Sequence, residues 1–142
     1  MKKQIIYFVI FCLVSSCNPN GGDDVDACVN LINDTNFDIV VEIYNKDLDG
    51  DGVTTLLETA SSDGTGLFFR KCEVSRGSIP PSSIFNSDSI VVKFNNQRRA
   101  ISTVSRDRLS FSGLLDQFNY QNTINGLTYT FTQEDYDNAT PF

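Results

Sequence analysis

The sequence predicts an all-β domain: a single β-sandwich, immunoglobulin-like or of a related Greek-key topology, with one or two short helices. Three observations favour this class. Short segments alternate between apolar and polar residues, turn-forming residues separate them, and helical periodicity is scarce. The chain has 142 residues, of which 40% are apolar and 11 are phenylalanine, which is enough for one packed core.

Six segments have the pattern of β-strands. They are residues 29–32, 37–44, 66–74, 89–94, 98–104 and 127–132. The second segment alternates most clearly, and the Asn-Asp-Thr-Asn turn at 33–36 predicts that it forms a hairpin with the first. A seventh strand is expected at 54–59 or near Leu109.

Two short segments have helical character. Residues 112–118 would form one or two turns with three apolar side chains on one face. These side chains are Leu114, Leu115 and Phe118. Thr132 can cap a last short helix that begins after it. Pro80 and Pro81 are expected to interrupt any regular element, because proline removes a backbone donor.

The composition argues against several classes of function. The net charge of the whole chain is −7, and an acidic protein repels nucleic acid, so we expect no nucleic-acid partner. The chain contains no histidine, which excludes Ser–His and Cys–His nucleophile pairs and most zinc sites. We therefore expect a non-enzymatic protein. The alternative is a carboxylate-dependent hydrolase, or an accessory module of a glycan-degrading system.

The first seventeen residues have the organisation of an export signal. Two lysines at 2–3 precede an apolar run at 5–14, and Val-Ser-Ser-Cys follows at 14–17. The apolar run is too short to span a bilayer, which takes about 20 residues. We expect residues 1–16 to be removed, and this raises the net negative charge to −9 because they contain two lysines and no acid.

The Val-Ser-Ser-Cys sequence at 14–17 resembles the lipobox of bacterial lipoproteins. The resemblance implies that cleavage precedes Cys17, which is then diacylated, with chains such as palmitate, and becomes the N-terminus. Residues 17–26 would form a lipidated tether and residues 27–142 the β-sandwich domain. Asn18 is not the aspartate that retains such proteins at the inner membrane of enteric bacteria. The implied location is the outer membrane, with the domain in the periplasm or on the cell surface.

Two cysteines remain after the signal and Cys17 are set aside. Cys28 and Cys72 form an even pair in a chain with an export signal, and exported proteins meet oxidising conditions in which disulfides persist. We predict a bridge between Cys28 and Cys72. The alternative is two separately buried thiols.

Residues 47–58 match the twelve-residue calcium loop in the type and spacing of their ligands. Acids occupy loop positions one, three and five, Gly52 permits the sharp turn at position six, and a glutamate closes the loop. The predicted calcium ligands are Asp47, Asp49, Asp51, Val53 (through its carbonyl oxygen), Thr55 (through water) and Glu58. This resembles an EF-hand loop, but the strand-like residues before it favour the Asp-Gly-rich loops of exported bacterial proteins. The alternative is a plain Asp/Gly turn.

Two weaker patterns also suggest binding. A basic stretch could attract an anionic glycan, a lipid headgroup or an acidic partner, or could simply solubilise a hairpin. It consists of Lys93, Arg98, Arg99, Arg106 and Arg108. Four tyrosines could form a carbohydrate-stacking face or belong to the core. They are Tyr44, Tyr120, Tyr129 and Tyr136. The expected role is therefore binding a protein or glycan ligand, or a structural one.

Overall fold

The computed structural model describes residues 24–45, 55–104 and 112–142. These residues form two packed β-sheets, which confirms the predicted all-β sandwich. Nine strands lie in the described ranges: β1 (Val25–Asn33), β2 (Ile39–Asn45), β3 (Thr55–Ser62), β4 (Gly66–Ser75), β5 (Ser89–Phe94), β6 (Arg98–Thr103), β7 (Gln121–Thr123), β8 (Gly126–Phe131) and β9 (Thr140–Pro141). One sheet has the order β4-β1-β8-β7 and the other the order β3-β2-β5-β6-β9.

All six predicted strands are present, and β3 is the seventh, at the first of its two predicted positions. The two shortest strands, β7 and β9, were not predicted, because two or three residues carry no readable alternation. β1 begins at Val25, within the stretch predicted as a tether, because Val25 pairs with Ser75 of β4.

The core lies between the two sheets and is built by alternation along three central strands. Their inward-facing side chains are at most 2% exposed, since each is covered by the opposite sheet. These side chains are Val29 and Leu31 of β1, Ile39, Val41 and Ile43 of β2, and Ile90, Val92 and Phe94 of β5.

The predicted hairpin between β1 and β2 is wrong. β1 pairs antiparallel with β4 and parallel with β8, whereas β2 pairs with β3 and β5 in the other sheet. The Asn33 side chain shapes the crossing: its Nδ2 donates to Phe37 O at 2.9 Å, and its Oδ1 accepts the Thr35 N–H at 2.9 Å. These bonds satisfy backbone groups of the connection between the two sheets, one of them on the buried residue Thr35.

The described ranges contain two short α-helices, α1 (Pro81–Phe85) and α2 (Gln133–Asn138). The expectation that Pro80 and Pro81 interrupt regular structure is wrong for Pro81. It occupies the first turn of α1, where its missing N–H has no helical partner to lose. Thr132 is the N-cap residue of α2, as predicted. Asp135, the third residue of the helix, reaches back to it as in a capping box, and its Oδ2 accepts the Thr132 N–H at 2.7 Å.

Residues 112–120, called here the side segment, contain two single-turn 3-10 helices, Gly113–Leu115 and Gln117–Asn119. Leu114 and Leu115 are buried as predicted, but Phe118 is 86% exposed. The prediction that all three share a face is wrong for Phe118, because the chain is extended at Asp116 and a second turn starts there.

The predicted bridge between Cys28 and Cys72 is confirmed. The two cysteines lie opposite each other in the β1–β4 register and form a disulfide. Cys28 is buried and Cys72 is exposed. The bridge therefore joins the central strand β1 to β4, which lies at the edge of its sheet.

Candidate functional site

The predicted calcium loop lies only partly within the described residues. Asp47, Asp49, Asp51 and Val53 fall outside them, whereas Thr55 and Glu58 belong to β3. Among the described residues, no group of three or more Asp, Glu or Cys side chains is placed to hold a metal ion.

Glu58 has a partner that the sequence does not suggest. Glu58 lies opposite Ile43 in the β2–β3 register, and Lys71 lies opposite Val29 in the β1–β4 register. Because Ile43 and Val29 point into the core, Glu58 and Lys71 each lie on the inner face of their own sheet. Lys71 Nζ lies 3.1 Å from Glu58 Oε2. A bidentate calcium ligand uses both carboxylate oxygens. Lys71 therefore contacts one of the two oxygens that Glu58 would offer to a calcium ion.

A second charged group lies on the outer face of the β3-β2-β5-β6-β9 sheet. Lys93 Nζ is 2.5 Å from Glu42 Oε1, and the Tyr44 hydroxyl donates to Glu42 Oε2 at 2.8 Å. The hydrogen bond from Lys93 lowers the pKa of Glu42, against the opposing effect of burial, and the Tyr44 bond lowers it further. The lowered pKa keeps Glu42 ionised. A general acid must hold its proton, which requires a raised pKa.

Three of the four tyrosines proposed as a carbohydrate face pack in or against the core. Tyr120 is buried and its hydroxyl donates to Leu114 O at 2.7 Å, and Tyr129 donates to Asp135 Oδ1 at 2.5 Å. Burial is the main cause that raises the pKa of both phenols. Tyr136 stacks on Phe37 with ring centres 4.1 Å apart. These contacts favour the alternative in which the aromatic residues are structural.

The basic stretch is also engaged within the fold where it is described. Arg98 Nη1 donates to the carbonyl oxygens of Tyr136, Asp137 and Ala139 at 3.2, 2.9 and 3.2 Å, which satisfies the C-terminal end of α2. The Arg99 guanidinium lies 5.6 Å from the centre of the Phe142 ring. The two remaining arginines of the stretch, Arg106 and Arg108, lie outside the described residues.

A cavity of about 310 Å³ lies at the end of the sandwich where β1 begins. Its walls come from five separate parts of the chain and are mostly apolar. They are formed by Val25, Ala27, Cys28, Gly77, Ser78, Ile79, Ile84, Asn122, Gly126 and Leu127. Sequence reasoning missed this cavity, since residues so far apart in the chain carry no common local pattern.

Comparison with known proteins finds no relative: no protein-family model, no curated protein and no solved structure matches this chain. None of the helices in the described ranges has the length and apolar character needed to cross a bilayer.

Proposed function

We propose that this chain is a lipid-anchored lipoprotein of the outer membrane, with its domain in the periplasm or on the cell surface. Its β-sandwich would have a non-enzymatic binding or structural role. The observation that carries the proposal is the order of features at residues 2–17: a basic start, a short apolar run, and Val-Ser-Ser-Cys ending at Cys17. Cys17 would carry the lipid.

Two features of the fold support export and anchoring. The Cys28–Cys72 disulfide suits an oxidising compartment. The first strand that the structure describes begins at Val25, so few residues separate it from Cys17, as a short tether requires. A separate observation supports the non-enzymatic role: Lys93 and Tyr44 both bind the Glu42 carboxylate, as expected for a structural group.

The anchor is tested by producing the full chain in a Gram-negative host with labelled palmitate. The wild-type chain should take up the label and fractionate with the outer membrane, whereas Cys17→Ala should lose both properties. Cys12→Ala is the matched control, because Cys12 lies in the apolar run and should not affect labelling. Equal labelling of the wild type and Cys17→Ala would refute the lipid anchor.

We further propose that residues 47–58 bind calcium in a structural role. The ligand types and their spacing support this, and one loop of this kind would bind with a Kd on the order of 10⁻⁴–10⁻³ M. The melting temperature should therefore rise with millimolar calcium relative to EDTA. Asp47→Asn should abolish the rise, and Asp63→Asn, in the β3–β4 turn, should leave it unchanged.

The Glu58–Lys71 pair makes the calcium test sharper. If Glu58 is a ligand, Lys71→Met frees its carboxylate and should increase the calcium-dependent rise, while Glu58→Gln should reduce it. The absence of any rise in the folded wild-type protein at several millimolar calcium would leave residues 47–58 as an Asp/Gly turn, and Glu58 as a partner of Lys71 only.

A further inference from the structure

The Cys28–Cys72 bridge lies on the outer face of its sheet and has one exposed and one buried end. Next to it in the β1–β4 register, Val29 lies opposite Lys71, and this pair points to the other face. Because Val29 is buried in the core, the bridge is on the face turned away from the core. Cys72 is exposed, whereas Cys28 is only 3% exposed. A thiol from solution therefore has better access to the sulfur of Cys72.

The positions of the two strands add a direction to this difference. A thiolate breaks a disulfide by attacking one sulfur from the side opposite the other sulfur. Cys72 belongs to β4, the last strand of its sheet, so its side away from Cys28 faces the sheet edge. Cys28 belongs to β1, and β8 lies on its far side, where a Cβ added to Gly126 would be 3.0 Å from the Cys28 Cβ. In-line attack is therefore easier at Cys72 than at Cys28.

A cation lies beside the buried sulfur. Arg70 Nη2 donates to Cys28 Sγ at 3.7 Å. Arg70 lies two residues before Cys72 on β4, so it shares the outer face with the bridge. A guanidinium keeps its charge, a nearby cation stabilises a thiolate, and a better stabilised thiolate leaves faster in exchange. Arg70 therefore favours Cys28 as the leaving sulfur.

We propose that the Cys28–Cys72 bridge is a directional thiol-exchange site for a dithiol reductant. The first thiolate of the reductant attacks Cys72 Sγ and forms a mixed disulfide, and the electron pair of the broken bond leaves on Cys28 as a thiolate beside Arg70. The second thiolate of the reductant then attacks the first reductant sulfur and releases Cys72. The two electrons pass to the protein, both cysteines take up protons from water, and the reductant becomes a disulfide.

This reaction makes the edge strand β4 sensitive to redox conditions, because reduction removes its covalent tie to β1. The inference goes beyond the proposed lipid anchor and does not depend on it.

The direction of attack is tested on the full chain with Cys12→Ala and Cys17→Ala, which leaves Cys28 and Cys72 as its only cysteines. The oxidised protein is treated briefly with excess 2-mercaptoethanol, quenched in acid, unfolded and alkylated with N-ethylmaleimide. Peptide mass spectrometry should find about fivefold more 2-mercaptoethanol on Cys72 than on Cys28, with the alkyl group mainly on Cys28. Equal amounts of 2-mercaptoethanol on the two cysteines would overturn the proposal.

The role of Arg70 is tested through the rate of reduction by dithiothreitol. Arg70 is itself exposed, so solvent screening limits its effect, and Arg70→Gln should slow reduction about threefold. The matched control is Arg76→Gln, which removes an exposed arginine that pairs with Asp24 and should leave the rate unchanged. If Arg70→Gln reacts as fast as the unsubstituted protein, Arg70 does not stabilise the leaving sulfur.

Low concentrations of urea distinguish exchange in the folded protein from reduction after unfolding. The population of unfolded protein rises steeply with urea, whereas attack on the exposed Cys72 needs no unfolding. The rate of reduction should therefore change little below the unfolding transition. A rate that rises in step with the unfolded population would show that the bridge reacts only when the fold opens, and the proposal would be wrong.

Discussion

The two lateral sides of the sandwich are closed by different physical means. On one, called here the buried side, the side segment covers the sheet edges: Leu114 N–H donates to Ser102 Oγ of β6 at 2.8 Å, and Tyr120 packs against Tyr129 of β8 with ring centres 5.6 Å apart. On the other, the cross-linked side, the edge strands β3 and β4 follow each other directly. There the Glu58–Lys71 ion pair joins the sheets, and the disulfide ties β4 to β1.

The difference shows how a small sandwich protects its edges. Apolar side chains can close the buried side because a separate piece of chain lies across it. The residues joining β3 to β4 form only a short turn, so this connection does not cover the two edges. Inward-pointing charges on exposed edge strands discourage pairing with another sheet, and Glu58 and Lys71 are charges of this kind.

The largest effect is expected from removing the disulfide on the cross-linked side. The cysteines are 44 residues apart, and closing a loop of this length contributes about 4 kcal/mol in the chain-entropy model. Replacing both cysteines (Cys28→Ala with Cys72→Ala) should lower the free energy of unfolding by about that amount, as measured by urea denaturation. A loss under about 1 kcal/mol would contradict the chain-entropy account of this bridge.

The next effect is expected on the buried side. Leu115 is 1% exposed, and Leu115→Ala should cost about 3 kcal/mol through lost apolar burial and the cavity left behind. The matched control is Leu57→Ala on β3 of the cross-linked side, where the residue is 45% exposed and the cost should stay under about 1 kcal/mol. Equal costs in denaturant unfolding would contradict the distinction between the two sides.

Alkaline pH should weaken the packing of the buried side. The pKa values of Tyr120 and Tyr129 are raised above the ordinary 10.0, mainly by burial. Their stabilising effect is therefore complete below pH 10 and is lost as the pH rises above it, because the unfolded chain releases these protons first. For Tyr120, the loss between pH 10 and pH 11 should be about 1 kcal/mol. Tyr120→Phe should reduce this pH dependence, as followed by denaturant unfolding and tyrosinate absorbance.

The smallest effect is expected from the ion pair. Lys71 and Glu58 have side-chain exposures of 29% and 41%, and partly exposed pairs contribute about 0.5 kcal/mol. A double-mutant cycle with Glu58→Gln and Lys71→Met, measured without calcium, should give a coupling of this size that shrinks in high salt. A coupling that salt does not change would indicate packing rather than charge attraction between these side chains.

Local sequence patterns predicted the structure correctly where neighbouring residues alone decide it. Alternation identified β2 and β5 because successive side chains of any strand point to opposite faces. The same alternation does not indicate whether the next strand is its neighbour or lies across the core, so the hairpin predicted between β1 and β2 was wrong. Phe118 shows the same limit. Helical spacing predicted that it shares a face with the two leucines before it, but the chain is extended at Asp116.

The sequence by itself determined the fold class, the positions of the main strands and the capping of α2 at Thr132, and it predicted the Cys28–Cys72 bridge that the structure contains. It also supplies the features at residues 2–17 and 47–58 on which the proposals of an anchor and a calcium loop rest. Only the tertiary structure decided that β1 lies parallel to β8, that Glu58 pairs with Lys71, and that an open apolar cavity lies at the end of the sandwich where β1 begins. The physical reason is that these contacts join residues far apart in the chain, and their partners are chosen by the packing of two sheets rather than by neighbours in sequence.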